Sequence, residues 1–127
     1  MSAETRESRY DAAIALKESG DQDGAIRLLE AICADFPDYA LPHAALSMLY
    51  SKQEKFADSL RHAAAVVELE PEDPFSFTAM SILARQSGDK GAAEEALGKA
   101  QEAQMNYHRK MMEQRKAEMG AEASSQE

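Results

Sequence analysis

Few side chains in this sequence are of types that do chemistry, and their spacing follows no familiar pattern. The histidines are His43, His62 and His108, and no two of them are four residues apart, the spacing that places two metal ligands on one helix face. The single cysteine, Cys33, is set apart from them in the apolar stretch LLEAICADF. A small buried hydrophobic side chain is the favoured interpretation of Cys33, ahead of a reactive thiol. The spacing therefore predicts no metal site and no cofactor.

Acidic residues cluster in one short segment, at Glu68, Glu70, Glu72 and Asp73. No apolar residues in the surrounding pattern would enclose these carboxylates, so a solvated turn is favoured over a paired-carboxylate active site. No motif of the Ser/His/Asp type and no glycine-rich phosphate loop is recognisable in the sequence. We therefore predict that the chain is not an enzyme and has no catalytic residues.

The strongest pattern in the chain is a repeat of 34 residues. Phe36-Pro37 and Glu70-Pro71 are separated by this interval, and Gly20 and Gly88 by two intervals, with Glu54 midway. Small and apolar residues recur with the same period, in the series Ala13–Ser47–Ser81, Ala25–Ser59–Ala93 and Ile14–Met48–Ile82. A fixed period of this length indicates that each repeat is one structural unit stacked on the next.

The period and its stop signals predict six helices. Gly20 and Gly88 end helices, Asp21 and Asp89 cap those that follow, and proline prevents further helix at position 37. The expected bounds are about 5–19, 22–35, 40–52, 56–69, 74–87 and 90–119, the last with a possible slight break near Gln104. The small residues of the two series should mark the points where paired helices come closest, because a larger side chain there would push the helices apart.

Three stretches resemble tetratricopeptide repeats: YDAAIALKESGDQDGAIRLLEAICADFP, HAALSMLYSKQEKFADSLRHAAAVVELEP and FTAMSILARQSGDKGAAEEALGKAQEAQ. The family pattern is a helix–turn–helix with two small residues at the closest contact and a proline that closes the second helix. The match covers roughly residues 6–105. The sequence departs from the family pattern in three places. The bulky aromatic position is Arg9 in the first copy, His43 in the second and Phe77 in the third. Glu54 replaces a turn glycine, and Met105 stands where the third closing proline is expected.

The resemblance implies an all-α, right-handed α-solenoid of three repeats, about 6–39, 40–73 and 74–105. We expect an N-terminal tail at 1–5, a C-terminal helical extension at 106–119 and a disordered tail at 120–127. The length of 127 residues suits one domain, and 44% hydrophobic residues suffice for a core.

Charge is distributed unevenly along the chain. The formal net charge is −9, and residues 1–104 carry all of it, with 10 Lys/Arg against 19 Asp/Glu. An acidic body repels a phosphate backbone, so nucleic-acid binding is disfavoured. No window approaches the ~20 apolar residues of a membrane span, and the first ten residues do not resemble a secretory signal. One cysteine permits no intramolecular disulfide. These features predict a cytoplasmic protein with no membrane partner.

The first helices of stacked pairs are expected to line the concave side of the solenoid, and they carry the predicted partner-binding residues. These are Tyr10, Ile14 and Lys17 in the first repeat, Leu41, Ala44, Met48 and Ser51 in the second, and Phe75, Thr78, Ile82 and Arg85 in the third. The stripe Ile14–Met48–Ile82 is apolar, and Lys17, Lys52 and Arg85 lie on its rim. An exposed apolar stripe usually marks a binding surface. Burial of the stripe between repeats is the alternative.

The resemblance also narrows the class of partner. Chaperone-binding members of the family hold a C-terminal carboxylate with Lys and Asn residues on the inner helices. Ile14, Met48 and Ile82 stand at the matching stripe, with no asparagine among them. An apolar peptide or an amphipathic helix therefore fits this surface better, in the helix-in-groove mode.

The segment MNYHRKMMEQRKAEMG is a second notable surface, because Met105, Met112 and Met119 are seven residues apart. A capping helix that shields the last repeat is favoured, ahead of a helix that binds a partner or forms a coiled coil. Membrane binding is disfavoured because four acidic residues in 105–127 cancel the four basic ones.

We predict a non-catalytic protein-interaction adaptor that holds a protein partner in its concave groove. The alternatives are a structural scaffold that self-associates into a homo-oligomer and a non-catalytic subunit of an enzyme complex.

Overall fold

The computed structural model describes residues 4–125, and within them every regular element is a helix. The helices are α1 (Arg6–Glu18), α2 (Gln22–Asp35), α3 (Ala40–Lys52), α4 (Phe56–Leu69), α5 (Pro74–Gln86) and α6 (Lys90–Ser125). No helix in this part of the chain is both long enough and apolar enough to cross a membrane.

Local capping explains where several helices begin. The Thr5 hydroxyl accepts from the Ser8 amide and the Ser8 hydroxyl accepts from the Thr5 amide, a reciprocal cap for α1. Asp21 accepts from the Gly24 amide at 2.9 Å and starts α2. Asp73 accepts from the Phe75 amide at 3.0 Å, with Pro74 in the first turn of α5. These contacts satisfy backbone amides that a helix start leaves without intrahelical acceptors.

The helices pack as three hairpins, α1 with α2, α3 with α4 and α5 with α6. The second helix of each hairpin packs on the first helix of the next, α2 on α3 and α4 on α5. The main core lies in the first and second hairpins and comprises Ala13, Ala25, Leu29, Ile32, Cys33, Tyr39, Leu46 and Leu49. A smaller cluster joins Phe77 of α5 to Ala100 and Ala103 of α6, with Val67 packed against it. The molecule is thus an α-solenoid built from helix pairs.

Small residues lie inside each hairpin at the 34-residue interval. All six members of the two small series are buried: Ala13, Ala25, Ser47, Ser59, Ser81 and Ala93. In the second hairpin the Ser59 hydroxyl donates to the Ser47 carbonyl at 2.7 Å. A side chain on α4 therefore touches the backbone of α3 directly, a distance that only a small residue at each position permits.

The last helix is longer than its sequence pattern predicts. We expected an end at position 119 and a disordered tail at 120–127, but α6 is one helix from Lys90 to Ser125, without a break near Gln104. Gly120 does not stop it, since Gly120 has no positive φ and alanine and glutamate, both good helix formers, follow. Residues 126 and 127 lie outside the described part of the chain, as do residues 1–3 of the predicted N-terminal tail.

Beyond Ala103 the helix α6 leaves the body of the solenoid. Every residue from 104 to 124 is exposed, including Met105, Tyr107, Met111, Met112 and Met119. Lys110 meets Glu72 of the α4–α5 turn at 3.0 Å, an ion pair between two exposed side chains. The extension therefore buries little surface against the third repeat, and its capping role stays a prediction.

Candidate protein-binding face

The repeating apolar stripe lies on α1, α3 and α5, and its three residues differ in burial. Met48 is 53% exposed and Ile82 is 51% exposed, whereas Ile14 is half-buried. Met48 and Ile82 thus lie at the surface and not in the core between repeats. Their role in binding remains a prediction.

The large side chains at the edges of this face differ in the same way, some exposed and some packed. Phe75, in the first turn of α5, is 81% exposed, and Leu41 of α3 is half exposed. Tyr10 of α1 instead packs edge-on against Tyr39, with ring centroids 6.1 Å apart, and burial raises the pKa of its phenol. We call the exposed set Leu41, Met48, Phe75 and Ile82 the apolar face.

A cleft between α3, α4 and α5 adjoins the apolar face. Its volume is about 230 Å³, and Leu41 and Phe75 stand at it beside Ala44, Val66 and Ala79. Thr78, also predicted as a binding residue, is exposed and donates its hydroxyl hydrogen to the Pro74 carbonyl at 2.9 Å. The cleft is the size of one or two aliphatic side chains and offers a place for an apolar anchor.

Charged residues lie at both ends of the face. Lys17, Lys52 and Arg85 lie in the last turns of α1, α3 and α5. At the same end the Ser51 hydroxyl donates to the Gln86 side-chain oxygen at 2.8 Å and holds α3 beside α5. At the starts of these helices lie acidic residues of the preceding turns, including Glu70 and Asp73, which line the small cleft.

The structure also shows an open cleft that the sequence did not indicate, of about 910 Å³, where α6 passes the α4–α5 turn. Phe75 and Thr78 of the predicted site line it together with Gln104 and Tyr107 of α6. The 34-residue pattern gave no sign of it, because Tyr107 lies beyond the third repeat. Phe75 therefore borders both clefts.

A second group that the sequence reasoning missed is formed by Cys33, His43 and His62. Their candidate ligand atoms lie within 4.8 Å of one another, whereas the spacing along the sequence predicts no such cluster. Spacing along the chain could not show this proximity, because the three residues come from α2, α3 and α4 and meet only when the first two hairpins stack. The one sequence signal was His43 at the position where the repeat pattern has a bulky aromatic residue.

Hydrogen bonds organise this group. His43 Nδ1 and His62 Nδ1 are 2.9 Å apart, and His62 Nε2 is 3.0 Å from Glu30 Oε1. The Tyr50 hydroxyl donates to the same Glu30 oxygen at 2.8 Å, and its ring stacks on His62. Burial lowers the pKa of His62, although Glu30 opposes the shift. Burial, with help from the Glu30 hydrogen bond, raises the pKa of Tyr50 to about 12.

Comparison with known proteins gives the fold. No protein-family model matches the chain, and no curated protein matches it. Among solved structures, a chain of a CopN-Scc3 complex is 18% identical with a TM-score of 0.74, covering 81% of this chain and 61% of that one. A crystal structure of MamA is 16% identical with a TM-score of 0.76, covering 83% and 61%.

A third solved structure matches over nearly its whole length. It is the Yersinia enterocolitica type III secretion translocator chaperone SycD in an alternative dimer, 20% identical with a TM-score of 0.72, covering 93% of this chain and 90% of that one. The present chain spans only about three fifths of the CopN-Scc3 and MamA chains. At these identities the likeness concerns the fold alone. The chain has a tetratricopeptide-like helical-repeat fold, an α-solenoid of three helix pairs.

Proposed function

We propose that this chain is a non-catalytic adaptor that binds an apolar peptide, or the apolar side of an amphipathic helix, of a partner protein. The binding surface would be the apolar face on α3 and α5, extended by Tyr10, Ile14 and Lys17 of α1. The observation that carries the proposal is the exposure of Met48 and Ile82 at equivalent positions of consecutive repeats. A repeated exposed apolar side chain offers anchor sites at regular spacing along a bound segment.

Covering this face would contribute favourably to binding. Full burial of one Leu, Ile, Met or Phe side chain contributes about 1.5–3 kcal/mol, and these four side chains are between half and four-fifths exposed before binding. Part of this gain is lost to ordering the bound segment. Lys17, Lys52 and Arg85 at one end favour a partner with acidic groups flanking its apolar residues, by charge complementarity.

The fold is compatible with this role. A translocator chaperone and a chain of a two-protein complex share it, and helical repeats provide extended surfaces for other proteins. That compatibility is support from fold alone, so the residues must be tested directly.

The test is Met48→Glu, in the central repeat. The charge meets water in the free protein, so the melting temperature should stay close to wild type. In a complex the same charge would be buried against an apolar partner without a counter-ion, which is strongly unfavourable. Partners captured from native lysate by the wild type should therefore be lost. Met112→Glu is the matched control, because Met112 on α6 is also 53% exposed and lies outside the face.

Either of two results would contradict the proposal. The first is a folded Met48→Glu variant that retains every partner of the wild type. The second is equal loss of partners in the Met112→Glu variant, which would move the binding surface to α6.

Self-association is the second candidate, favoured by the row of exposed methionines on α6. Light scattering over a range of concentrations separates the two. A monomer that captures other proteins supports the adaptor, and a dimer disrupted by Met112→Glu supports the scaffold.

A further inference from the structure

We propose that Cys33, His43 and His62 form a binding site for one thiophilic transition-metal ion, of which Zn²⁺ is the representative probe. The ion would lie where the first and second hairpins meet. This site is separate from the apolar face, and the proposal does not depend on the adaptor function.

Three helices converge to bring the ligands together. Cys33 is on α2, His43 near the start of α3 and His62 in the middle of α4. Cys33 is 8% exposed and His62 2% exposed, whereas His43 is half-buried. The candidate ligand atoms fall within 4.8 Å of one another. The ligands are thus held on helices, and an ion would enter past His43, the most exposed of the three.

The hydrogen bonds orient His62 as a ligand. Glu30 carries only acceptor oxygens as a carboxylate, so His62 Nε2 must hold the ring hydrogen in the 3.0 Å contact. His62 Nδ1 then has a free lone pair, and it points at His43, whose Nδ1 donates to it at 2.9 Å. A metal-bound histidine typically donates its other ring N–H to a carboxylate in this way. Tyr50 in turn holds the Glu30 oxygen at 2.8 Å.

Small movements would complete the coordination. Zn–N bonds of about 2.0–2.1 Å at tetrahedral angles place two ligand nitrogens about 3.3 Å apart, a few tenths of an ångström more than the 2.9 Å contact here. A thiolate and a nitrogen on the same ion are about 3.6 Å apart, so Cys33 must approach by up to about 1 Å. A change of the Cys33 χ1 angle together with a small shift of the half-buried His43 would supply this movement.

Ion binding exchanges hydrogens for metal bonds in a balanced way. The Cys33 S–H bond breaks, its proton goes to solvent and a sulfur–metal bond forms. His43 moves its ring hydrogen from Nδ1 to Nε2, so that Nδ1 binds the ion and no further proton is released. Burial raises the pKa of Cys33 to about 11, and coordination by a divalent ion is strong enough to deprotonate such a thiol.

The ligand set selects the class of ion. One thiolate and two imidazoles suit Zn²⁺ and copper and disfavour Mg²⁺, Ca²⁺ and Mn²⁺, which prefer oxygen ligands. Glu30 adds a negative charge behind His62, although Arg61 approaches that carboxylate to 3.9 Å. Three protein ligands leave the fourth position to water. Since the ligands belong to two hairpins, the bound ion would join the first repeat to the second.

The experiment uses the full chain without a polyhistidine tag, stripped of metal. Zn²⁺ titration by calorimetry should give one ion per chain, and Co²⁺ should give the near-ultraviolet charge-transfer absorption of a cobalt–thiolate bond. Zn²⁺ should also raise the melting temperature, because it binds the folded chain. Cys33→Ser should abolish the cobalt–thiolate band and weaken Zn²⁺ binding more than 10-fold. Glu30→Gln should weaken it roughly 10- to 100-fold, because the amide oxygen can still accept from His62 but the negative charge of the carboxylate is lost.

His108→Gln is the matched control, because His108 is exposed on α6, away from the site. This variant should bind Zn²⁺ as tightly as the wild type does. His62→Gln tests the buried histidine ligand. If this variant does not fold, Cys33→Ser and His43→Gln decide the result. Zn²⁺ binding of equal affinity in Cys33→Ser and wild type, or cobalt binding without a thiolate band, would overturn the site.

Discussion

Glu54 adopts a backbone conformation that glycine adopts at the matching positions of the other repeats. Its φ is +59°, against +95° at Gly20 and +88° at Gly88, and it is the one such non-glycine residue in the part of the chain described. A non-glycine residue in the left-handed region costs about 1–2 kcal/mol. Replacing Glu54 with glycine would remove this strain, but the greater conformational entropy of the unfolded chain would offset part of the gain in stability. Glu54, which stands where the other repeats have glycine, is therefore a position of backbone strain.

We expect Glu54→Gly to increase the free energy of unfolding by about 0.5–1 kcal/mol. Urea unfolding followed by circular dichroism measures the change. Gly88→Ala is the converse variant and should lower stability by about 1 kcal/mol or more, since alanine has no easy access to this φ. A Glu54→Gly protein less stable than wild type would show that the exposed glutamate side chain stabilises the turn.

At the scale of the helix pair, the contact between α1 and α2 depends on Ala13 and Ala25, both 0% exposed. Ala25→Leu inserts a larger side chain at this contact and should lower the free energy of unfolding by about 1–3 kcal/mol through overpacking. Arg27→Ala, on the exposed side of the same helix, is the control and should change stability little. Equal melting temperatures for wild type and Ala25→Leu would mean that the small series does not mark the closest approach of the helices.

At the scale of the whole molecule, α6 divides into a packed part and a projecting part. Ala93, Ala96, Ala100 and Ala103 are buried, whereas residues 104–124 are exposed. Deletion of 111–127 should therefore change the free energy of unfolding by less than about 0.5 kcal/mol, measured by chemical unfolding. Light scattering on the same sample should show no new aggregation.

The contrasting truncation removes packed residues as well. Deletion of 99–127 takes away Ala100 and Ala103, which pack against Phe77, and should destabilise the third hairpin. If the shorter deletion of 111–127 instead caused aggregation or a clear loss of stability, the projecting helix would have the capping role that the sequence pattern favoured.

The sequence by itself determined the helices and their order. Helix ends are set by local backbone conformation, which depends on residues adjacent in the chain. The sequence shows these ends through the 34-residue period and through Gly20, Gly88, Pro37 and Pro71. The predicted bounds of α3 and α4, 40–52 and 56–69, agree with the structure. The small series was also readable, because each hairpin needs two small residues at the same interval.

Only the tertiary structure decided which faces are covered and which distant residues meet. Periodicity placed Ile14, Met48 and Ile82 at equivalent positions, yet Ile14 is half-buried and the other two are exposed. Exposure depends on which side chains of the neighbouring helices pack against a position, and spacing along the chain does not give this. For the same reason the sequence did not show that Cys33, His43 and His62 lie close together. The stacking of two hairpins brings α2, α3 and α4 to one point, and spacing along the chain does not reveal it.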